Sequence, residues 1–186
     1  MKFEIRNSKL ETDDLQRRAQ RIKLLLMDCD GVLTDGRLWL TAAGDEQKAF
    51  HARDGQGISL FHQAGLKTGI ISGRKSNALE RRAQELKVSY VRQQAKDKVK
   101  ALEEILVEAK VSSDECAYIG DDLADISVMH RVGFAVAVAD AAEETKAAAH
   151  YVTKLNGGQA AVREVTDLLL QAQGHWEELM NRYLSS

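Results

Sequence analysis

Two carboxylates stand one residue apart in Asp28-Cys29-Asp30-Gly31, directly after the apolar run Leu24-Leu25-Leu26-Met27. A buried strand delivers such residues to its C-terminal edge, where open parallel sheets bind their ligands. Clustered carboxylates repel each other unless a cation or a proton lies between them. The pair therefore implies a hard divalent metal or acid chemistry. Asp28 is a candidate nucleophile, because a carboxylate can form an acyl phosphate. Gly31 lets the chain turn, so Asp30 can stand beside Asp28, protonate a leaving oxygen and later activate water.

Three more polar groups follow apolar runs. Ser72-Gly73-Arg74 follows Ile70-Ile71, Lys98 lies just past Val88 to Val91, and Gly120-Asp121-Asp122-Leu123-Ala124-Asp125 follows Tyr118-Ile119. Asp121 can complete an oxygen set for Mg²⁺ with Asp28 and a backbone carbonyl near Asp30. Ser72 and the amides after it, at Gly73 and Arg74, are placed to open a helix and seat a phosphate. Lys98 supplies a cation for phosphoryl oxygens and offsets carboxylate repulsion. Taken singly, each signal has an ordinary reading: a turn, a helix cap or a solvated lysine. Their order at successive strand ends argues for chemistry.

The elements that must position these residues can be read from the pattern. The near-continuous apolar run of Ile22 to Met27 predicts a strand covered on both faces. Strands are also expected over 66–71, 88–91, 116–119, 134–138 and 151–153. Helices are expected over 11–21, 54–64, 75–86, 97–109, 123–131, 143–149, 160–171 and 175–184. Residues 37–41 and 46–50 flank Ala42-Ala43-Gly44-Asp45 and read as a β-hairpin inserted after the first strand. Strand–helix alternation predicts an α/β fold, a Rossmann-like parallel sheet with helices on both faces. Right-handed crossovers would put all strand C-terminal ends on one edge.

The 186 residues suffice for one compact domain, read as residues 1–186 with no linker. A formal net charge of -2 gives no reason to expect nucleic acid or an anionic membrane as partner. No apolar run approaches the roughly 20 residues of a membrane span. Met1 to Arg6 lacks the apolar core of an export signal, and Cys29 and Cys116 suggest neither a disulfide framework nor a zinc site, so a cytoplasmic location is expected. The chain has no proline, so its turns fall to Gly, Asn, Asp and Ser.

The Asp-x-Asp-Gly loop, the Ser-Gly-Arg end, the lysine and the Gly-Asp-Asp-x-x-Asp loop, in this order, resemble the haloacid dehalogenase superfamily of phosphohydrolases over nearly the whole chain. Further segments resemble one branch without a cap domain. These are Asp28 to Gly36, Phe50-His51-Ala52-Arg53-Asp54-Gly55-Gln56-Gly57-Ile58, Tyr118 to Asp122, Ala135-Val136-Ala137-Val138-Ala139-Asp140-Ala141 and Asn156-Gly157-Gly158. That branch serves synthesis of an acidic sugar of the lipopolysaccharide inner core, and the implied substrate is 3-deoxy-D-manno-octulosonate 8-phosphate. The resemblance implies Asp28 as nucleophile and Asp30 as general acid/base. It implies Mg²⁺ held by Asp28, Asp121 and the Asp30 carbonyl, and phosphate bound by Ser72 and Lys98. Asp122 and Asp125 become supporting acids beside the metal. It also implies a homotetramer built through the hairpins of residues 37–50, with a C-terminal tail over about 156–186 that covers a neighbouring site. The apolar cluster Leu38-Trp39-Leu40 needs such a cover. Arg74 is a candidate contact for the substrate carboxylate, and His51, Arg53 and Arg163 are weaker ones.

The chain departs from the family near Gln94, where a glycine is usual, and near Ser127 and Glu143, where proline is frequent. Cys29 stands where an aliphatic residue is common and is assigned no role. Within the class, the alternatives are a phosphatase for a nine-carbon sugar acid 9-phosphate and a relaxed phosphatase for small phosphoesters. Outside it stands a non-catalytic assembly module related to sugar-nucleotide synthases. A two-component receiver also phosphorylates an aspartate at a strand end, but the second aspartate and the hairpin argue for hydrolysis.

Overall fold

The computed structural model describes residues 9–42 and 46–184. The segment Met1 to Arg6, most of the expected hairpin turn (residues 43–45) and the last two residues of the tail lie outside the described residues.

Helix α1 (Lys9–Arg21) leads into strand β1 (Leu24–Met27), whose four residues are all buried. A short antiparallel pair follows, β2 (Trp39–Leu40) and β3 (Glu46–Gln47), then α2 (Ala52–Gln63) and β4 (Lys67–Ile71). Next come α3 (Asn77–Glu85), β5 (Tyr90–Arg92), α4 (Lys98–Ala109), β6 (Cys116–Gly120) and α5 (Leu123–Met129). The chain continues through β7 (Phe134–Ala137), α6 (Glu143–Ala147), β8 (Tyr151–Val152), α7 (Ala161–Ala172) and α8 (Trp176–Leu184).

Six strands form one parallel sheet in the order β5-β4-β1-β6-β7-β8. The expected α/β architecture is thus realised, and no cap domain stands among the described residues. Helices α1 and α2 pack on α7 on one face, while α4, α5 and α6 follow one another on the other. Burial on both faces is why β1, β6 and β7 carry continuous apolar runs in place of alternation.

Register decides what the edge carries. Met27 of β1 sits beside Ile70 of β4 and Ile119 of β6. Asp28 is therefore level with Ile71 and Gly120, and the next residues out are Ser72 and Asp121. The central strand and its two neighbours deliver three polar groups to one place.

Most element ends shift by a residue or two, and three differences from expectation bear on the site. The hairpin strands pair over two residues each, because an isolated two-stranded ribbon has little to hold a longer ladder. Strand β5 is shifted to Tyr90–Arg92 by its pairing with Gly69 to Ile71. Helix α3 starts at Asn77, capped by Ser76, whose Oγ accepts from the Leu79 amide at 3.3 Å. Ser72 to Arg74 therefore form a loop ahead of the helix and do not themselves open it.

The described part of the tail folds back on its own chain. Leu179 of α8 is buried, Gln56 Nε2 donates to the Tyr183 hydroxyl at 2.9 Å, and Arg163 lies 6.0 Å from the Trp176 ring centre. Among the described residues no helix is long and apolar enough to cross a membrane.

Candidate active site

Asp28 continues β1 by one residue, its amide donating to Ile119 O at 3.0 Å. Its Oδ1 accepts from the Cys29 amide at 2.7 Å, and its Oδ2 lies 3.0 Å from Lys98 Nζ. Burial pushes its pKa up to about 6, against the pull of Lys98 and with the help of Asp125. Cys29 is packed inward, and burial drives its thiol far from the reactive range.

Lys98 opens α4 and is itself buried, with Asp125 Oδ1 at 2.8 Å on its other side. A lysine at a helix N-terminus opposes the helix dipole. The two carboxylates offset this and hold its pKa above the ordinary lysine value despite burial.

Asp125 is completely buried and fully engaged. Its Oδ1 accepts from Lys98 and from the Tyr118 hydroxyl at 2.6 Å, and its Oδ2 accepts from the amides of Asp121 at 3.0 Å and Asp122 at 3.3 Å. Asp122 is exposed and caps α5, its Oδ1 taking the Leu123 amide at 2.8 Å. The two supporting acids thus shape the loop that carries Asp121.

Asp121 is the acid left without a protein partner. Among the described residues its buried Oδ1 makes no hydrogen bond. Its pKa is pushed up to about 8, by burial first and then by Asp125 and Asp28. Asp28, Asp121 and Asp125 each offer one oxygen within 4.8 Å of the others. Each Asp125 oxygen already takes two hydrogen bonds and each Asp28 oxygen has one partner, so Asp121 Oδ1 is the unengaged donor and Asp28 the acid beside it with acceptor capacity left. An orphaned buried carboxylate beside a second one is an arrangement that a divalent cation fits. Gly31, at φ +92°, is essential to it: a β-carbon there would fall 2.0 Å from Asp121 Oδ2.

On the other flank, Ser72 is buried, and its Oγ accepts from the Arg74 amide at 3.3 Å. Gly73 is exposed beside it. Arg74 reaches Glu46 at 2.7 Å and stands 3.8 Å from Asp30. Asp30 also pairs with Lys48, whose side chain is almost wholly buried and lies 2.5 Å from Glu46. Glu46 and Lys48 were missed in the sequence, as was Tyr118. A single tyrosine inside the apolar run of β6 was the one available hint, because a buried hydroxyl needs a partner.

The weaker candidates are placed elsewhere. His51 caps α2, its Nδ1 accepting from the Arg53 amide at 3.2 Å. Arg163 pairs with Asp167 at 2.6 Å, and with Arg53 it lines an open groove of about 940 Å³ beside α1, α7 and β8. That groove holds none of the acidic cluster.

The chain belongs to the haloacid dehalogenase-like hydrolases. The family's pattern matches residues 91–165. A finer likeness covers most of the chain: 3-deoxy-D-manno-octulosonate 8-phosphate phosphatase KdsC of Yersinia pestis is 45% identical over 165 residues, 89% of this chain and 88% of that one. Among solved structures, the 3-deoxy-D-manno-octulosonate 8-phosphate phosphatase of Moraxella catarrhalis, in complex with magnesium ion, phosphate ion and KDO, has a TM-score of 0.90. It is 38% identical over 92% of this chain and 98% of its own. The cobalt-bound deoxy-D-mannose-octulosonate 8-phosphate phosphatase of Haemophilus influenzae has a TM-score of 0.83 at 39% identity, covering 84% of this chain and 92% of its own.

Proposed function

We infer that the chain hydrolyses 3-deoxy-D-manno-octulosonate 8-phosphate to the free sugar acid and phosphate, through an aspartyl-phosphate intermediate, with Mg²⁺ as its cation. The observation that carries the chemistry is the meeting of Asp28, Ser72 and the orphaned Asp121 carboxylate at the ends of adjacent strands, with Lys98 of α4 3.0 Å from Asp28. The substrate is supported by relatives at 38–45% identity that carry that name over most of their length.

Asp28, Asp121 and the Asp30 main-chain carbonyl would hold Mg²⁺, which when bound neutralises phosphate charge and lets an anionic nucleophile approach. Asp28 forms a bond to phosphorus as the ester P–O bond breaks, and Asp30 gives its proton to the departing sugar oxygen. A water then attacks the phosphorus, Asp30 takes its proton, and the bond to Asp28 breaks to free the carboxylate. Lys98 neutralises the Asp28 side of the cluster, while Ser72 with the Gly73 and Arg74 amides receives phosphoryl oxygens. Arg74 is the group for the substrate carboxylate, and Lys48 and Glu46 hold Asp30 and Arg74 until it arrives. The protein acts in the cytoplasm as a homotetramer, its hairpins meeting through Leu38, Trp39 and Leu40.

The test is phosphate release with Mg²⁺ from 3-deoxy-D-manno-octulosonate 8-phosphate, sialic acid 9-phosphate, its deaminated analogue and hexose phosphates. The eight-carbon acid should be preferred, and Asp28→Asn should abolish release from it. A preference for a nine-carbon acid would move the substrate and keep the chemistry. No release from any of them would remove both.

A further inference from the structure

Three segments singled out in the sequence take no part in that chemistry: Asp54 with the glycines after it, Ala139-Asp140-Ala141, and Asn156-Gly157-Gly158. In the fold they converge behind the catalytic loop. The Gly158 amide donates to Val32 O at 2.9 Å. Gly157 lies so close that a β-carbon on it would fall 1.7 Å from Gly31 O, and one on Gly158 would fall 2.5 Å from Asp35 N. Residues 157 and 158 are therefore seated flush on the turn that carries Asp30 and Gly31.

Two carboxylates anchor that seat. Asp140 Oδ1 accepts from the Gly157 amide at 2.9 Å. Asp54, buried in the first turn of α2, accepts from the Arg163 amide at 2.8 Å and faces the amides of Ala160 and Val162. It thereby caps α7 from another helix, where Ala160, at φ +75°, offers no cap of its own. Gly57 brings the two helices together: a β-carbon there would fall 2.4 Å from Thr166 Oγ1.

The Asp140 turn touches the second acid loop as well. The Ala142 amide donates to Asp121 O at 2.8 Å, and the Val138 amide donates to Gly120 O at 3.2 Å. A closed circuit results, from the Asp121 loop through Asp140, Gly157, Gly158 and Val32 to Gly31, which abuts the Asp121 carboxylate.

We propose that Asp140 is a positioning residue: through its bond to Gly157 it fixes the spacing between the Asp28–Asp30 loop and the Asp121 loop. The inference rests on the reading of Asp28, Asp30 and Asp121 as the reacting cluster. Asp140 is exposed, so its loss removes the bond and leaves the core intact. In the full chain, Asp140→Ala should lower kcat for p-nitrophenyl phosphate about 10- to 100-fold with KM little changed. It should also weaken Mg²⁺ binding, measured by calorimetry without substrate, about 10-fold. Asp140→Asn keeps an oxygen for the Gly157 amide and should return both values to within about threefold of the parent. Melting curves of all three proteins should agree within about 3 °C. Wild-type kcat and Mg²⁺ affinity in Asp140→Ala would overturn the proposal, and so would an equal loss in both variants, since charge and not the bond would then matter. A parent that neither binds Mg²⁺ nor releases phosphate would instead overturn the reading of the cluster.

Discussion

At the scale of single residues, the backbone explains one departure from the family pattern. Gln94 lies at φ +56°, a left-handed conformation that costs a residue with a β-carbon roughly 1–2 kcal/mol. The amides around it are committed: Gln94 N donates to Arg74 O at 3.3 Å and Ala95 N to Ser72 O at 3.0 Å. The strained turn thus holds the Ser72 to Arg74 loop from behind, and the usual glycine would serve it without strain. Glycine also brings more freedom to the unfolded chain, at about 0.5–1 kcal/mol. Gln94→Gly should therefore stabilise the protein by roughly 0.5–1 kcal/mol, read as a higher urea midpoint at unchanged slope. A lower midpoint would mean that the Gln94 side chain contributes more than its backbone costs. Glu143 is simpler. It holds the first position of α6, a place where proline fits without cost and is not required.

At the scale of elements, the hairpin works at both ends. Its outgoing arm carries Leu38, Trp39 and Leu40, which are 47%, 57% and 68% exposed. Its return strand carries Glu46, and Lys48 just after it, which grip Asp30 and Arg74. An exposed apolar cluster of this kind fits the proposed contact between hairpins. On the proposed tetramer, Trp39→Asp should give a monomer in light scattering and depress turnover of the large substrate. A monomeric variant with full activity would separate assembly from catalysis. The same hairpin marks the limit of what was legible. Asp28, Ser72 and Asp121 could be read because each interrupts an apolar run at a strand end, and Lys98 because it opens the helix just past another strand; parallel topology sends all strand ends to one edge. Lys48 and Glu46 interrupt nothing. In a short polar hairpin they read as solvated, and their partners are up to 28 residues away. Asp125 was legible as an acid near the cluster but not as the saturated hub it is, because Tyr118 and Lys98 reach it only through packing between elements.

At the scale of the whole molecule, the acidic cluster ties stability to pH and to metal. A carboxylate whose pKa is raised on folding binds more protons folded than unfolded, so its contribution is greatest at low pH and fades as pH rises through the folded value. Asp28 loses that contribution near pH 6 and Asp121 near pH 8. His62 and His150 act oppositely. Burial depresses both, so they add stability as pH rises, but only up to the ordinary value of 6.5. Glu46 and Glu115 are held below the usual glutamate value, and their contribution is already complete above it. Between about pH 6.5 and about pH 8.5 the Asp121 ionisation therefore dominates, and the metal-free protein should melt at progressively lower temperature. A cation bound between Asp28 and Asp121 favours their ionised forms and stabilises only the folded state, by about 2.7 kcal/mol at a hundredfold excess over its Kd. The gap in melting temperature between protein in chelator and protein in Mg²⁺ should thus widen with pH across that window. A gap that stays constant would place the cation away from Asp121, and a metal-free melting temperature that does not fall would mean that burial does not hold Asp121 protonated.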